Sequence, residues 1–191
     1  MSTDTRTRMI ETAARLIQAR GYHGVSLNDI LSESGAPRGS LYFHFPGGKE
    51  TLILEAMRVG IEEADRVLKE CLDAADSPAD GVRAFFEAAA REMSDSDYAF
   101  GCPVAPIVLD TPGLDSELAE ACQAAFHHWE RLYRDALIGS GIEPGRAGRL
   151  ARTVLASLEG ALIMARSDRN AGCIREVGEE MALMIAAAVK T

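Results

Sequence analysis

The chain has 191 residues, enough to bury a core in one or two small domains. Its formal net charge is −9, but residues 1–50 hold six Lys/Arg against five Asp/Glu, so the acidity lies in the remainder. The longest apolar run, Met181 to Val189, is far short of the ~20 residues that cross a bilayer, and Cys71, Cys102, Cys122 and Cys173 form no C-x-x-C pair. A membrane span is thereby excluded, and reduced thiols in a cytoplasmic protein are expected.

Ala, Leu and Glu favour helices, and no run of alternating β-branched residues argues for a strand. An all-α fold follows. The first helix is expected over 6–20, with Thr5 as cap, Gly21 as stop, and Ile10, Ala13, Ala14 and Ile17 facing inward. Ser26 with Asp29 three positions on resembles a capping box, so a second helix begins near Leu27 and buries Leu27, Ile30 and Leu31. Gly35 supplies the turn, and Pro37 suits the first position of a third helix.

That third helix reads Arg38-Gly39-Ser40-Leu41-Tyr42-Phe43-His44-Phe45 before Pro46 closes it. Leu41 and Phe45 lie four apart and face the core. Gly39 and Phe43 point away, with Ser40 and Tyr42 at the sides, while Arg38 can extend past the helix N-terminus. Two short helices around a glycine turn, the second carrying polar groups over an apolar underside, form a helix-turn-helix that enters the DNA major groove. Gly47-Gly48-Lys49 opens a fourth helix over 49–72, and its free amides with a lysine make a phosphate seat.

Ser77-Pro78 starts a fifth helix bearing Val82, Phe85, Phe86, Ala89 and Met93. An irregular stretch follows from Ser94 to Gly113, with Pro103, Pro106 and Pro112. Helices are then expected over 115–138, 146–168 and 174–190, separated by Gly139-Ser140-Gly141, Pro144-Gly145 and Asn170-Ala171-Gly172. The last two carry long apolar stripes: Leu150, Val154 and Leu158, then Ile174, Val177, Met181, Met184 and Ile185. Such stripes predict a homodimer interface.

From Thr5 to Leu54 the chain resembles the DNA-binding domain of the TetR family of bacterial transcriptional regulators, most specifically in Gly-Ala-Pro-Arg-Gly-Ser-Leu-Tyr-Phe-His-Phe-Pro-Gly-Gly-Lys. Pro37 stands where many members have a Ser cap, and Phe43 where many have Tyr. Gly101-Cys102-Pro103-Val104-Ala105 resembles the ligand domain of the LmrA/YxaF-like branch, whose members tend to regulate drug-efflux genes. The resemblance implies a helix-turn-helix domain over 1–48 and a helical effector-binding and dimerisation domain over 49–191. It implies DNA contacts from Ser26, Arg38, Gly39, Ser40, Tyr42, Phe43, His44 and Lys49, with Tyr42 and Lys49 on phosphate and Arg38, Gly39 and Ser40 nearest base edges. It further implies a body cavity, for which the candidate liners are Phe85, Phe86, Met93, Cys102, Val104, Ile107, Phe126, Trp129 and Leu158.

Two constellations compete with a pure binding role. His127-His128 suggests metal, but adjacent helical residues diverge by about 100° and no second His lies at i+4. Cys102 with His127 suggests a nucleophile pair, but no orienting acid or oxyanion motif accompanies it. No catalytic centre, metal or cofactor is therefore expected. The sequence reads as a transcriptional regulator and not an enzyme: a dimeric repressor released from a pseudo-palindromic operator in duplex DNA by a small apolar effector, controlling efflux or detoxification genes.

Overall fold

The computed structural model describes residues 4–111 and 116–189. Regular structure among them is helical: α1 (Thr5–Arg20), α2 (Leu27–Ser34), α3 (Arg38–His44), α4 (Lys49–Asp73), α5 (Pro78–Asp95), α6 (Ala105–Asp110), α7 (Glu117–Gly139), α8 (Pro144–Asp168) and α9 (Gly172–Ala186).

The punctuation residues act largely as their chemistry dictates. Ser26 and Asp29 form a reciprocal capping box: the Asp29 amide donates to Ser26 Oγ at 3.2 Å and the Ser26 amide to Asp29 Oδ2 at 2.8 Å. Gly35 takes φ +64° and closes α2, a conformation that an L side chain enters at a cost. Ser77 caps α5 with Pro78 in its first turn, and the Glu143 carboxylate accepts from the Gly145 and Arg146 amides to start α8.

Some boundaries differ from the sequence reading. Thr5 is already helical, and Asp4 precedes it without a side-chain cap. Pro37 sits one position earlier than expected, at the N-cap of α3, with no side-chain cap bond. The 94–113 stretch contains a helix, α6, which tolerates Pro106 because its first turn spends no amide there. Of that stretch, Pro112 and Gly113 lie outside the described residues, as do Leu114 and Asp115 beside the expected start of α7.

Two packing units divide the chain: residues 1–63 with 102–124, and residues 64–101 with 125–191. They do not follow the 48/49 boundary expected from the sequence, because the first part of α4 and the segment containing α6 pack with the helix-turn-helix. In the first unit α1 packs on α2 and α6, around Met9, Leu16, Ile30, Leu41, Phe45, Leu52 and Ile53, all fully buried. In the second, α9 packs on α5 and α8. Contact is closest at Gly178, where a Cβ would lie 2.5 Å from Phe86 Cβ. Only a residue without a side chain lets α9 approach α5 so nearly. Ion pairs Arg83–Glu179 (2.6 Å) and Arg175–Glu87 (2.7 Å) flank this seam, but both are solvent-exposed and add little.

The apolar stripes of α8 and α9 need correction. Leu150, Val154, Leu158, Ile174, Met181 and Ile185 are buried within the chain itself, and Val177 is half-buried. Those buried side chains are not free to meet a second copy, whereas Val177 and Met184 keep part of their surface exposed. The large apolar side chains left exposed on these helices are Ile163 and Met164 on α8 and Leu183 and Met184 on α9.

The α5–α9 seam yields a stability test. Gly178→Val should destabilise the protein by about 1–3 kcal/mol through overpacking against Phe86. Gly148→Ala, where a Cβ meets nothing within 4 Å, should stabilise α8 by about 0.5–1 kcal/mol. Urea unfolding midpoints of both variants measure the contrast.

Candidate nucleic-acid interface

The site is built on α3. Leu41 and Phe45 are buried, so the helix is seated from beneath. Two residues from Leu41 is about 200° around a helix, and Phe43 accordingly points straight outward, 80% exposed. Tyr42 beside it is 65% exposed, and Gly39 opens on empty space. Ser40 and His44 are half-buried at the flanks, with the His44 ring meeting Phe43 edge-on at 4.9 Å.

Arg38 lies exposed on the first turn of α3, where its Nη2 is 3.5 Å from Asn28 Oδ1 on α2. Asn28 is exposed and was not picked out from the sequence. Its place beside Arg38 exists only once Gly35 has turned α3 across α2. The other head cations are differently engaged. Arg15 and Arg20 both pair with Glu33, at 2.6 and 3.1 Å, and Arg6 pairs with Glu55 at 3.2 Å. Arg38 has no carboxylate partner among the described residues, so its charge is the most available on this face. A cationic guanidinium and a neutral amide of this kind read base edges: Arg takes guanine O6/N7 and Asn takes adenine N6/N7.

Lys49 departs from a simple phosphate seat. Its Nζ donates to the Tyr22 carbonyl at 2.7 Å and lies 4.3 Å from the Tyr22 ring centroid. Burial lowers its pKa from the usual lysine value, while the negative charges of Asp110 and Asp29 oppose that shift. Burial, then Glu50, raises the Tyr22 phenol. The same loop is held from the other side by α6: the His23 amide donates to Asp110 Oδ2 at 3.2 Å, and the Asp110 carbonyl accepts a hydrogen bond from His23 Nε2 at 2.8 Å. Ser26 is exposed, but its hydroxyl is engaged in the capping box.

The effector candidates divide between the packing units. Cys102, Val104 and Ile107 belong to the first, and Phe85, Phe86, Met93, Phe126, Trp129 and Leu158 to the second. Val104 and Ile107 are fully buried, and Cys102 Sγ accepts from the Val104 and Ala105 amides at 3.4 and 3.3 Å, capping α6. A partly open cleft lined by Ala14, Ile17, Gln18, Ala56, Met57, Pro103 and Ile107 has room for about one water-sized sphere, far less than a drug-sized pocket. In the second unit Phe85 and Phe126 are half-buried, whereas Phe86, Met93, Trp129 and Leu158 are buried. The Trp129 indole donates to Asp65 Oδ1 at 2.7 Å, and His128 Nε2 meets Asp65 Oδ2 at 2.7 Å. Thus His128 is tied inside and His127 is exposed, and no cluster of His, Cys, Asp or Glu among the described residues suits a metal.

A short helix seated on Leu41 and Phe45, crossing a capped partner helix and presenting Arg38, Tyr42 and Phe43 outward, defines a helix-turn-helix DNA-binding protein. Residues 9–56 match the family of bacterial regulatory proteins called the tetR family, and residues 78–180 match the C-terminal domain of the LmrA/YxaF-like transcriptional regulators. The HTH-type transcriptional regulator LmrA of Bacillus subtilis (strain 168) is 36% identical over 87% of this chain and 89% of its own. A TetR transcriptional regulator from Chloroflexus aurantiacus superposes with a TM-score of 0.83 at 27% identity, covering 97% of this chain and 96% of that one. A cysteine mutant of the TetR-family regulator CifR, bound to double-stranded operator DNA, has the same fold (TM-score 0.82, 22% identity, 96% and 97% covered). The chain belongs to the TetR family, in the LmrA/YxaF-like branch, and is a DNA-binding transcriptional regulator and not an enzyme.

Lys49 and Arg38 should separate in a stability experiment. Lys49→Ala removes a half-buried charged hydrogen bond and should cost about 1 kcal/mol. Arg38→Ala, at an exposed position, should change stability by less than about 0.5 kcal/mol. Thermal melts of the two variants followed by circular dichroism provide the comparison.

Proposed function

We propose that this protein is a cytoplasmic, homodimeric repressor whose two heads read the halves of a pseudo-palindromic operator and release it when a small apolar effector binds. The observation that carries the reading is the outward face of α3, with Arg38, Gly39, Tyr42 and Phe43 exposed over buried Leu41 and Phe45. Arg38 and Asn28 take base edges, and Gly39 and Ser40 permit close approach. Tyr42 and His44 contact phosphate at the flanks, with the backbone near Ser26 and Lys49 completing the seat. Occupying a promoter in this way blocks transcription.

Dimerisation is assigned to the exposed apolar side chains Ile163, Met164, Leu183 and Met184, carried by two helices that pack together. A two-fold axis there pairs the heads for half-sites about one DNA turn apart. Effector binding is assigned to the second unit. Half-buried Phe85 and Phe126 offer apolar surface, and Tyr133 is buried with its hydroxyl unpartnered among the described residues, a polar group that a ligand would satisfy. The effector would act on the heads through α4, whose residues belong to both units. Efflux or detoxification genes are the proposed targets. No helix of the described residues is long and apolar enough to cross a membrane, and DNA is the macromolecular partner.

Fluorescence anisotropy with duplexes from the promoter region of the chain's own gene tests the reading. Wild type should bind with strong salt dependence. Arg38→Ala and Asn28→Ala should each lose about 1–3 kcal/mol, a five- to 150-fold weakening. Unchanged affinity in the double variant would remove the assignment of α3 as reader. Ile163→Glu with Leu183→Glu, both exposed, should yield folded monomers by light scattering and weaken operator binding further; a dimer that persists would place the interface elsewhere. A screen of apolar aromatic compounds for operator release tests induction.

A further inference from the structure

Phe43 is the most exposed large hydrophobic side chain among those described, at 80%, and it projects from the helix that reads DNA. Among the described residues, its one ring contact is the edge of His44 at 4.9 Å. Leaving a phenyl ring in water forfeits the free energy of its burial, so a partner surface is where that burial is recovered. Its direction is fixed: Leu41 and Phe45 hold the underside of α3, and Phe43 stands about 200° from Leu41. One turn before it on the same azimuth is Gly39, whose missing side chain leaves open space and lets the ring be the leading group on that line.

A phenyl ring has no donor or acceptor. It cannot read guanine, cytosine or adenine edges by hydrogen bonding, nor bond to phosphate. The apolar feature that the major groove presents is the C5-methyl group of thymine, a recognised partner of Phe. We propose that Phe43 is a specificity-determining residue that packs on a thymine methyl group in each operator half-site. The inference rests on the DNA-reading role of α3 argued above. It divides the labour on the helix: Arg38 and Asn28 supply hydrogen bonds at one end, and Phe43 supplies shape and apolar contact at the other.

The test uses the full-length protein and a duplex selected by it from a randomised library. Each thymine is replaced in turn by deoxyuridine, which removes the C5-methyl group and leaves pairing intact. Wild type should lose about fourfold in affinity at one thymine per half-site, the worth of one buried methyl-sized group, and little elsewhere. Phe43→Ala should bind the unmodified duplex more weakly and be indifferent to deoxyuridine at that same position, the signature of a coupled pair. Its melting curve should match wild type, since Phe43 is exposed, so lost binding is not lost fold. Tight binding of the selected duplex with no sensitivity to any deoxyuridine overturns the thymine contact alone. Equal sensitivity in wild type and Phe43→Ala does the same. Failure to enrich any duplex overturns the DNA-reading role beneath it.

Discussion

Seating of α3 on Leu41 and Phe45 is the constraint from which the rest of the head follows. A helix of seven residues has little stability of its own in water, since nucleation alone is unfavourable. Burying Leu41 and Phe45 in the core of the first unit gives α3 both existence and rotation. Once those two side chains point inward, the outward set is fixed by helical geometry. Gly35 then sets the crossing: its αL conformation ends α2, and α3 begins three residues later. Arg38 meets Asn28 as a consequence.

The loop Gly21–His23 is held from two sides, and both holds use charge or polarity that a reading face otherwise spends on DNA. Lys49 turns to the Tyr22 carbonyl, and Asp110 takes the His23 amide. Gly21 makes the second hold possible, because a Cβ there would lie 2.5 Å from Asp110 Oδ2 and its φ is +76°. With Arg6, Arg15 and Arg20 paired to Glu55 and Glu33, the head carries little uncommitted positive charge. Affinity must come from a few well-placed contacts more than from a broad electrostatic field.

Much of this was legible in the sequence because it is local. Ser26 with Asp29, Gly35, Ser77-Pro78 and the four-residue spacing of Leu41 and Phe45 each write their own structure within a few residues. What was not legible depends on distant partners. The stripes of α8 and α9 carry the same pattern whether they face their own chain or another; most of their residues are buried within the chain itself. Lys49 reads as a free cation until the Tyr22 carbonyl is found beside it. Asn28 is an ordinary polar residue on α2 until α3 crosses it. Helix α6 was hidden by Pro103 and Pro106, which look like breakers but sit where a helix start spares their missing amides. Candidate cavity liners were least legible, since a half-buried Phe85 and a buried Phe86 are adjacent in the chain and identical in chemistry.

Hydroxyl-radical footprinting of the protein, read by mass spectrometry with and without operator duplex, tests the central claim most directly. Tyr42 and Phe43 are exposed aromatic rings and should oxidise readily in the free protein. The account predicts that operator DNA suppresses oxidation at both while Phe85 and Phe126 change little. Undiminished oxidation of Tyr42 and Phe43 at saturating DNA would contradict it, because the outward face of α3 would then not be the surface in the groove.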